Sequence, residues 1–200
     1  MIPLCLAERT WYTFHKSSSG EVLSVKNAFD TMKERSSTRG YTDEPLTEEE
    51  LQAILQAGLQ APTARNRQEL HFTVLKKGNP LIGELETEKN RLAGVSAPAH
   101  DFSYEAPVVV ILSAQRDFRW STLDAGIAVE NMAIAAEALG LGSVIIGCIA
   151  DALWGEKRDA FASALCFPDG YEYKIAIALG HKAAAKEPHT YDAAAQVTLL

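Results

Sequence analysis

Apolar residues recur with helical spacing in the first part of the chain. They precede Arg35 at i, i+4 and i+7, and this spacing predicts a helix that ends there. Thr47 and Glu50 have the spacing of a capping box, which predicts the start of a second helix. The apolar positions of these two helices are Val25, Phe29, Met32, Leu51, Ile54, Leu55 and Leu59.

Strand patterns follow in the rest of the chain. Residues 70–75 alternate apolar and polar positions, which predicts a half-buried strand. Residues 106–112 form a continuous run rich in β-branched side chains, typical of a strand in the middle of a sheet covered on both faces. Two further strands are predicted at 143–149, with Gly147 inside the strand, and at 173–179.

Further helices alternate with these strands. One is predicted from about residue 80 to about 91, and the stretch after it, 92–104, has no clear pattern. An alanine-rich stretch, 124–139, predicts a closely packed helix with Asp124 as its N-cap, and another helix runs from Asp151, also as a cap, to about Leu165. Helices and about four strands therefore interleave, which indicates an α/β or α+β fold.

Composition and charge limit the class of protein. The chain has 200 residues, of which 47% are hydrophobic, enough for one domain with its own core. A net charge of −7 argues against a broad nucleic-acid surface. No apolar run is long enough to span a bilayer. We expect residues 1–21 to be a peripheral N-terminal extension and residues 22–200 to be the folded domain.

Cysteine and histidine usage gives few positive signals. The chain lacks a CxxC pair and a secretory leader, so a reduced, cytoplasmic setting is the default expectation. The histidines show no spacing with cysteines or carboxylates that would hold a metal, so no metal site is predicted. The three cysteines are Cys5, Cys148 and Cys166.

Common catalytic motifs are missing from the sequence. Gly140, Gly142 and Gly147 follow a helix and precede or lie in a strand, whereas a dinucleotide fingerprint lies between a strand and a helix. The sequence contains neither a nucleophile elbow nor a P-loop. The remaining polar groups include no activated nucleophile, which points to a cofactor as the source of the chemistry.

One short stretch carries the strongest chemical signal. In residues 35–39, two guanidinium groups flank three hydroxyl groups, and such a set of donors suits an oxyanion such as phosphate. The same five residues also have a simpler interpretation, because a Ser/Thr-rich helix end with two solvated arginines would show the same pattern.

Four segments, in this order, resemble the FMN-dependent nitroreductase family. Residues 35–41 resemble its Arg-x-Ser-x-Arg/Lys-x-aromatic opening, and residues 61–68 resemble its Ala-Pro-Ser-x-x-Asn-x-Gln loop. Residues 124–143, through Asn131, resemble its long central helix, and residues 178–181 stand where the family has its closing Gly-Tyr. The resemblance covers the chain from about residue 22 to its end.

The resemblance implies a nitroreductase-like α+β fold, in which helices flank a central mixed sheet. It also implies an intertwined homodimer with FMN at the interface, helix 124–139 in the dimer core, and a last segment near 197–199 that reaches the other subunit. The residues implied to bind FMN are Arg35, Ser36 (mainly through its backbone), Ser37 and Arg39 at the phosphate and ribityl chain; Pro62, Thr63, Asn66 and Gln68 of the partner subunit at the isoalloxazine; Ile146 and Gly147, through the backbone, near N5; and Lys186.

The sequence departs from the family pattern at three places. A second phosphate-binding residue near the C-terminus is not singled out, since Lys182, Lys186 and His189 are all near. Glu105 stands where many relatives have glycine. Trp120 is interpreted either as a border of the substrate opening or as a rim packing residue.

The function implied is that of a flavoprotein oxidoreductase. Hydride would pass from NADH or NADPH through flavin N5 to an electron-poor acceptor, such as a nitroaromatic compound or a quinone, in a ping-pong reaction without a catalytic side chain. Two alternatives stay open: another flavin chemistry on the same scaffold, such as reductive dehalogenation or flavin fragmentation, and a flavin-binding or flavin-storing dimer without enzymatic activity. A small molecule and a second copy of the chain are the expected partners, with neither nucleic acid nor membrane.

Overall fold

The structure is a computed structural model, and it describes residues 27–96, 98–184, 186–187 and 190–200. The predicted N-terminal extension and His189 lie outside the described residues. The elements, in chain order, are α1 (Ala28–Glu34), α2 (Glu48–Leu59), β1 (His71–Lys76), α3 (Pro80–Ala93), β2 (Val108–Gln115), α4 (Ser121–Ala138), β3 (Gly142–Ile146), α5 (Ala150–Trp154), α6 (Arg158–Ala164), β4 (Tyr171–Gly180) and α7 (Ala193–Gln196).

The four strands form one sheet in the order β1-β2-β4-β3. Each neighbouring pair is antiparallel, with Val110 opposite Val74 on one side and opposite Ile177 on the other. A parallel bridge between Ser37 and Ser143 adds the segment after α1 to the start of β3. The predicted α+β architecture, with helices flanking a central sheet, is confirmed, but the four strands are all antiparallel and the sheet is mixed only through this bridge.

Two hydrophobic layers cover the two faces of this sheet. Val109 and Ile111 of β2 point to the layer formed with α3, α5 and α6, whereas Val110 and Leu112 point to the layer formed with α2 and α4. Every residue of β2 before Gln115 is buried, as the β-branched run predicts for a central strand. The sheet thus separates α4 from the other long helix, α3.

The capping box predicted for α2 is present. The Thr47 hydroxyl accepts a hydrogen bond from the Glu50 N–H at 3.2 Å, and the Glu50 carboxylate accepts one from the Thr47 N–H at 2.8 Å. These two bonds satisfy donors that the first turn of a helix leaves unpaired. α1 ends at Glu34, so Arg35 is the residue that follows the helix, as predicted.

Three predicted boundaries are wrong. α4 begins at Ser121, so Asp124 lies inside the helix, where its carboxylate binds a distant loop instead of capping. The helix predicted from Asp151 is two helices, because Gly155 breaks it where a Cβ atom would lie 2.7 Å from the Asp151 carbonyl oxygen. β3 ends at Ile146, which leaves Gly147 outside the strand.

Among the described residues, no helix combines the length and the apolar composition that crossing a bilayer requires. Cys148 is a free, exposed thiol. The cytoplasmic location stays a prediction.

Candidate cofactor site

Residues 35–39, which we call the strap, follow α1 and lie against the first residues of β3. The Thr38 N–H donates to the Ser143 carbonyl oxygen at 2.8 Å. Gly142 permits this approach, because a Cβ atom there would lie 2.7 Å from the Thr38 hydroxyl oxygen. Ser36 and Thr38 are buried, whereas Arg39 is exposed. Backbone bonding therefore fixes the strap and leaves the Arg39 side chain outside it.

The two arginines of the strap have different partners. Arg35 Nε lies 3.5 Å from Glu130 Oε1 of α4, and the Arg35 side chain is only 20% exposed. Arg39 Nε donates to the Tyr104 hydroxyl oxygen at 3.3 Å, and its guanidinium lies 5.8 Å from the centre of the Tyr104 ring. Arg35 is thus partly neutralised by a carboxylate, and Arg39 keeps its full charge beside a phenol.

Tyr104 belongs to a short loop with an unusual backbone. Tyr104 and Glu105 have φ angles of +56° and +60°, a region that residues other than glycine seldom adopt. The Asp101 carboxylate accepts bonds from the Ser103 and Glu105 N–H groups, which holds the turn. The family's frequent glycine at position 105 is the one sequence signal that pointed to this turn. No pattern in the sequence indicated the contact between Tyr104 and Arg39.

The two described lysines after β4 have different partners. Lys182 Nζ lies 2.6 Å from the buried Glu137 carboxylate, so it is engaged in an ion pair. Lys186 Nζ instead lies 3.4 Å from the Ser37 carbonyl oxygen, which places its charge at the strap. Of the two described lysines, Lys186 has its ammonium group at residues 35–39, whereas Glu137 holds the ammonium group of Lys182.

Residues 61–68, which we call the ring loop, are anchored to α4. The Ala64 N–H donates to both Asp124 carboxylate oxygens, at 3.0 and 3.1 Å, and Asp124 is buried. The Thr63 hydroxyl accepts a bond from the Gln68 N–H at 2.9 Å. A carboxylate accepting backbone N–H bonds is a strong, charge-assisted contact. It explains why Asp124 is buried inside a helix.

The backbone of the ring loop is strained. Arg65, Asn66 and Gln68 have φ angles of +59°, +52° and +50°. Side chains in such positions cost about 1 to 3 kcal/mol and persist where the surroundings impose them. Pro62, Asn66 and Gln68 are exposed, so the strained loop presents its polar groups to solvent.

The backbone at Gly147 faces open space, whereas Ile146 before it is buried. A Cβ atom added to Gly147 would meet no atom within 4 Å, and Gly147 is exposed. The Ile146 carbonyl oxygen accepts a bond of 2.7 Å from the buried Tyr173 hydroxyl. Burial raises the pKa of Tyr173 well above its usual range, so this donor keeps its proton. Tyr173 was not singled out in the sequence, and it holds this end of β3 in place.

Charged residues beside the ring loop form their own contacts. Arg67 Nε lies 2.8 Å from the buried Glu69 carboxylate, whose pKa is raised by desolvation against the opposing effect of Arg67. The Arg67 guanidinium also lies 4.2 Å from the centre of the Phe118 ring. Over the described residues, no group of three or more acidic, cysteine and histidine side chains suits a metal ion.

In one protomer, the strap and the ring loop contact α4 at different positions along the helix axis. Glu130 and Asp124 are six residues apart, a rise of about 9 Å along the helix axis. The strap, Lys186 and the start of β3 are brought together, whereas the ring loop contacts the first turns of α4. The predicted cofactor residues therefore form three groups in one chain: the strap with Lys186, the ring loop, and Ile146 and Gly147 at the end of β3 away from the strap.

The sequence also matches known proteins. A family model described as the nitroreductase family matches residues 32–181. The chain is 30% identical over 143 residues to FMN reductase [NAD(P)H] of Bacillus subtilis, covering 62% of this chain and 55% of that protein. It is 28% identical over 177 residues to FMN reductase (NADPH) of the same organism, covering 80% and 67%. The chain thus spans about half to two thirds of the length of these two curated relatives.

Solved structures show the same fold. A nitroreductase with bound FMN from Desulfitobacterium hafniense superposes with a TM-score of 0.77 at 29% identity, covering 86% of this chain and 97% of that one. A nitroreductase with bound FMN from Bacteroides fragilis superposes with a TM-score of 0.78 at 27% identity, covering 88% and 99%.

Proposed function

We propose, on the premise that this chain belongs to the nitroreductase family, that it is an FMN-dependent oxidoreductase. It takes hydride from NADH or NADPH and passes it to an electron-poor small molecule, such as a nitroaromatic compound or a quinone. The observation that carries the proposal is the set of donors at the strap, where the exposed Arg39 and Lys186 flank the Ser37 backbone. The names of the FMN reductase relatives and the FMN-bound structures support it.

The strap fits the phosphate of FMN. Arg35, Ser37 and Arg39 supply guanidinium and hydroxyl donors, Ser36 contributes through its backbone, and Lys186 adds a point charge beside them. The group is positive within an acidic chain, which favours an anion at this place. We assign Lys186 to the phosphate, and Lys182 to its ion pair with Glu137.

The flat part of the cofactor fits the open backbone at Gly147. A ring can approach Gly147 closely, because no side chain or neighbouring atom occupies the space over its Cα atom. Tyr173 holds the carbonyl group of Ile146, so the peptide that carries the Gly147 N–H has a fixed orientation. The other side of the ring is assigned to Pro62, Thr63, Asn66 and Gln68 of a second copy of the chain.

A homodimer is the assembly that completes this site. Apolar side chains are exposed on α1 and α4, including Phe29 at 84%, Met32 at 53% and Leu123 at 57%. Four of the six alanines of α4 are buried against the chain's own sheet, so the dimer surface is assigned to the opposite face of the helix, around Leu123 and Gly126. Leu199 of the terminal segment is also exposed and available to a second subunit. Exposed apolar surface of this extent marks interaction sites.

When bound, FMN accepts a hydride at N5 from NADH or NADPH and passes it to the acceptor. The chain contributes position and charge to this chemistry. Arg35, Arg39 and Lys186 would hold the phosphate and thereby fix the ring, and the backbone N–H of Gly147 would donate a hydrogen bond to the ring. Preorganised donors and positive charge stabilise the negative charge that a reduced ring carries, without a side-chain nucleophile.

The test is the visible absorption spectrum of the purified protein, followed by release and identification of the chromophore. We expect a flavin spectrum, release of FMN, and oxidation of NADH or NADPH with an added quinone or nitroaromatic acceptor. Parallel double-reciprocal plots are expected for a ping-pong reaction. A colourless protein that takes up no added FMN would refute the proposal, and bound FMN without oxidation of either nucleotide would favour a flavin-storing protein.

The phosphate assignment has its own variant. The double variant Arg35→Ala/Arg39→Ala is expected to fold and to lose FMN affinity by at least about 100-fold, since each charged bond contributes about 1.5 to 3 kcal/mol. Arg158→Ala is the matched control, because Arg158 pairs with Asp159 on α6, away from the strap. Full FMN content in the double variant would show that the strap does not hold the phosphate.

A further inference from the structure

The chain concentrates arginine at one place that the proposed cofactor contacts do not use. Four of its nine arginines lie in two short segments, 65–67 and 116–119, although the whole chain has a net charge of −7. Phe118 and Trp120 lie in or next to the second segment. The four residues are Arg65, Arg67, Arg116 and Arg119. Such a local basic and aromatic surface on an acidic protein requires an explanation.

The two segments are in contact. Arg67 Nη2 donates to the Gln115 side-chain oxygen at 2.8 Å, and its guanidinium lies on the Phe118 ring. The bond from the Ala64 N–H to Asp124 fixes the ring loop one helical turn from Trp120, because the Asp124 N–H donates to the Trp120 carbonyl oxygen at 2.9 Å. Arg65, the residue after Ala64, therefore belongs to the part of the ring loop that is bound within one turn of Trp120 at the start of α4.

The charges of the four arginines are used differently. Arg67 pairs with Glu69, and Arg116 Nε lies 3.3 Å from the Glu172 carboxylate. Within the part of the chain that the structure describes, Arg65 and Arg119 make no ion pair, and both are exposed. The carboxylate of Asp124 is occupied by the Ala64 N–H, which leaves the exposed Asp117 as the acidic neighbour in sequence. Two positive charges are thus available to an anion.

Trp120 adds a flat apolar surface beside these charges. Its side chain is 39% exposed, and the Arg119 guanidinium lies 4.6 Å from the ring centre. This arrangement holds Arg119 by a cation–π contact, which restricts the guanidinium without neutralising it. An exposed aromatic ring next to two free guanidinium groups suits a ligand that has both a heteroaromatic base and a phosphate group.

We propose that Arg65, Arg119 and Trp120 bind the phosphate monoester of a substrate that reaches the flavin. The inference rests on the proposed function, because the ring loop that carries Arg65 also supplies the assigned contacts to the flavin ring. Two substrates have this chemistry: the 2′-phosphate of NADPH as the electron donor, and the 5′-phosphate of free FMN as an acceptor. The dianion would be bound by the two guanidinium groups, and the adenine or isoalloxazine would stack on Trp120.

The test compares substrates that differ only in the phosphate. KM and kcat are measured for NADPH against NADH, and for FMN against riboflavin as acceptors, in the wild type, in Arg65→Gln/Arg119→Gln and in the control Arg158→Gln. We expect a preference of about 10-fold or more for at least one phosphorylated substrate in the wild type. In the double variant this preference falls to about one, through KM rather than kcat. Arg119→Lys, which keeps the positive charge, retains part of the preference.

The two arms identify the source of the phosphate. A preference that is lost only with NADPH assigns the site to the electron donor, and one that is lost only with FMN assigns it to the acceptor. Equal KM values within both pairs in the wild type, or a preference that the double variant keeps, would overturn the inference while leaving the oxidoreductase activity intact. Failure to oxidise either nucleotide would instead refute the proposed function.

A binding measurement keeps the inference testable in that last case. Adenosine 2′-monophosphate against adenosine, and FMN against riboflavin in protein already loaded with FMN, are titrated into the wild type and the double variant by calorimetry. The inference requires that the wild type binds the phosphorylated compound of at least one pair more tightly and that the double variant loses the difference. No difference within either pair in the wild type would overturn it.

Discussion

The strap and the ring loop are both held against α4, but by different means. The strap is fixed by a backbone bond from Thr38 to Ser143, and its Arg35 side chain is paired with the half-exposed Glu130. The ring loop is fixed by a single buried carboxylate, Asp124, and by left-handed backbone angles. The comparison separates two kinds of control: a backbone bond to β3 fixes the strap and leaves its charges to side-chain partners, whereas a buried charge on α4 fixes the ring loop.

Removing the anchor of the ring loop is expected to have the largest effect. Asp124→Ala leaves the Ala64 N–H without its acceptor and removes a charge-assisted bond, at a cost of about 2 to 3 kcal/mol in the free energy of unfolding. Urea denaturation measures this cost. Asp151→Ala, at an exposed position of α5, is the control and should change stability by less than about 0.5 kcal/mol. Equal values for the two variants would contradict the anchoring role of Asp124.

Displacing the strap comes next. Gly142→Ala places a Cβ atom 2.7 Å from the Thr38 hydroxyl oxygen and 2.9 Å from Lys182 Cγ. We expect a loss of about 1 to 3 kcal/mol from this overpacking, together with weaker FMN binding, measured by denaturation and by fluorescence titration. Gly83→Ala, on the exposed face of α3 with no atom near its Cβ position, should instead stabilise the protein by up to about 1 kcal/mol. Unchanged FMN affinity in Gly142→Ala would separate the strap from the cofactor.

Removing the carboxylate that competes for Arg35 at the strap should strengthen FMN binding, whereas the preceding variant should weaken it. Glu130→Gln frees Arg35 from its carboxylate, so FMN affinity is expected to rise by about 3- to 10-fold, and more at low salt than at high salt. Titration of apoprotein with FMN at two salt concentrations measures this effect. Glu156→Gln, on the exposed surface between α5 and α6, is the control. Weaker binding in Glu130→Gln would mean that Glu130 orients Arg35 instead of competing for it.

The smallest expected effect is a dependence of stability on pH that appears only in acid. It comes from an ion cluster between α3 and the start of α6. Hydrogen bonds from Arg91 and Lys157 lower the pKa of Glu88 from 4.5 to about 2. A lowered pKa stabilises the folded state above the pKa of the unfolded chain, so this contribution is complete at pH 7 and falls away as the pH drops from about 4.5 to 2.

Denaturation of the wild type between pH 2 and pH 7 measures this dependence, and Glu88→Gln should flatten the part between 4.5 and 2. The cluster lies apart from the strap and the ring loop, so the wild type and Glu88→Gln are expected to lose FMN with the same pH profile. A different profile for Glu88→Gln would link the cluster to the site.

The sequence predicted those elements whose determinants are local. The capping box of Thr47 and Glu50 and the β-branched run of β2 each act within a few residues, and both predictions are confirmed. The role of Asp124 was missed because its partner, Ala64, is 60 residues away. The break at Gly155 was missed because a single glycine within a helical stretch does not by itself mark the end of a helix, and its extended backbone is visible only in the structure.

The site was predicted unevenly for the same reason. The residues assigned to FMN came from short motifs, and their roles stay predictions for the measurements above. The partners of those residues, such as Glu130 for Arg35 and Tyr104 for Arg39, are brought together by tertiary packing and leave no periodic signal. The same is true of Tyr173, which holds the Ile146 carbonyl group across two paired strands.

The ring loop is anchored through its backbone, on the side that faces α4, and this has a consequence for protein engineering. Asp124 binds the backbone of the loop and touches none of its outward side chains, so residues 65 and 67 can be replaced without removing the anchor. Left-handed φ angles at Arg65 and Asn66 favour glycine, asparagine and aspartate and disfavour valine, isoleucine and threonine. A substitution library restricted in this way should change which molecules the protein accepts while most of its members still fold.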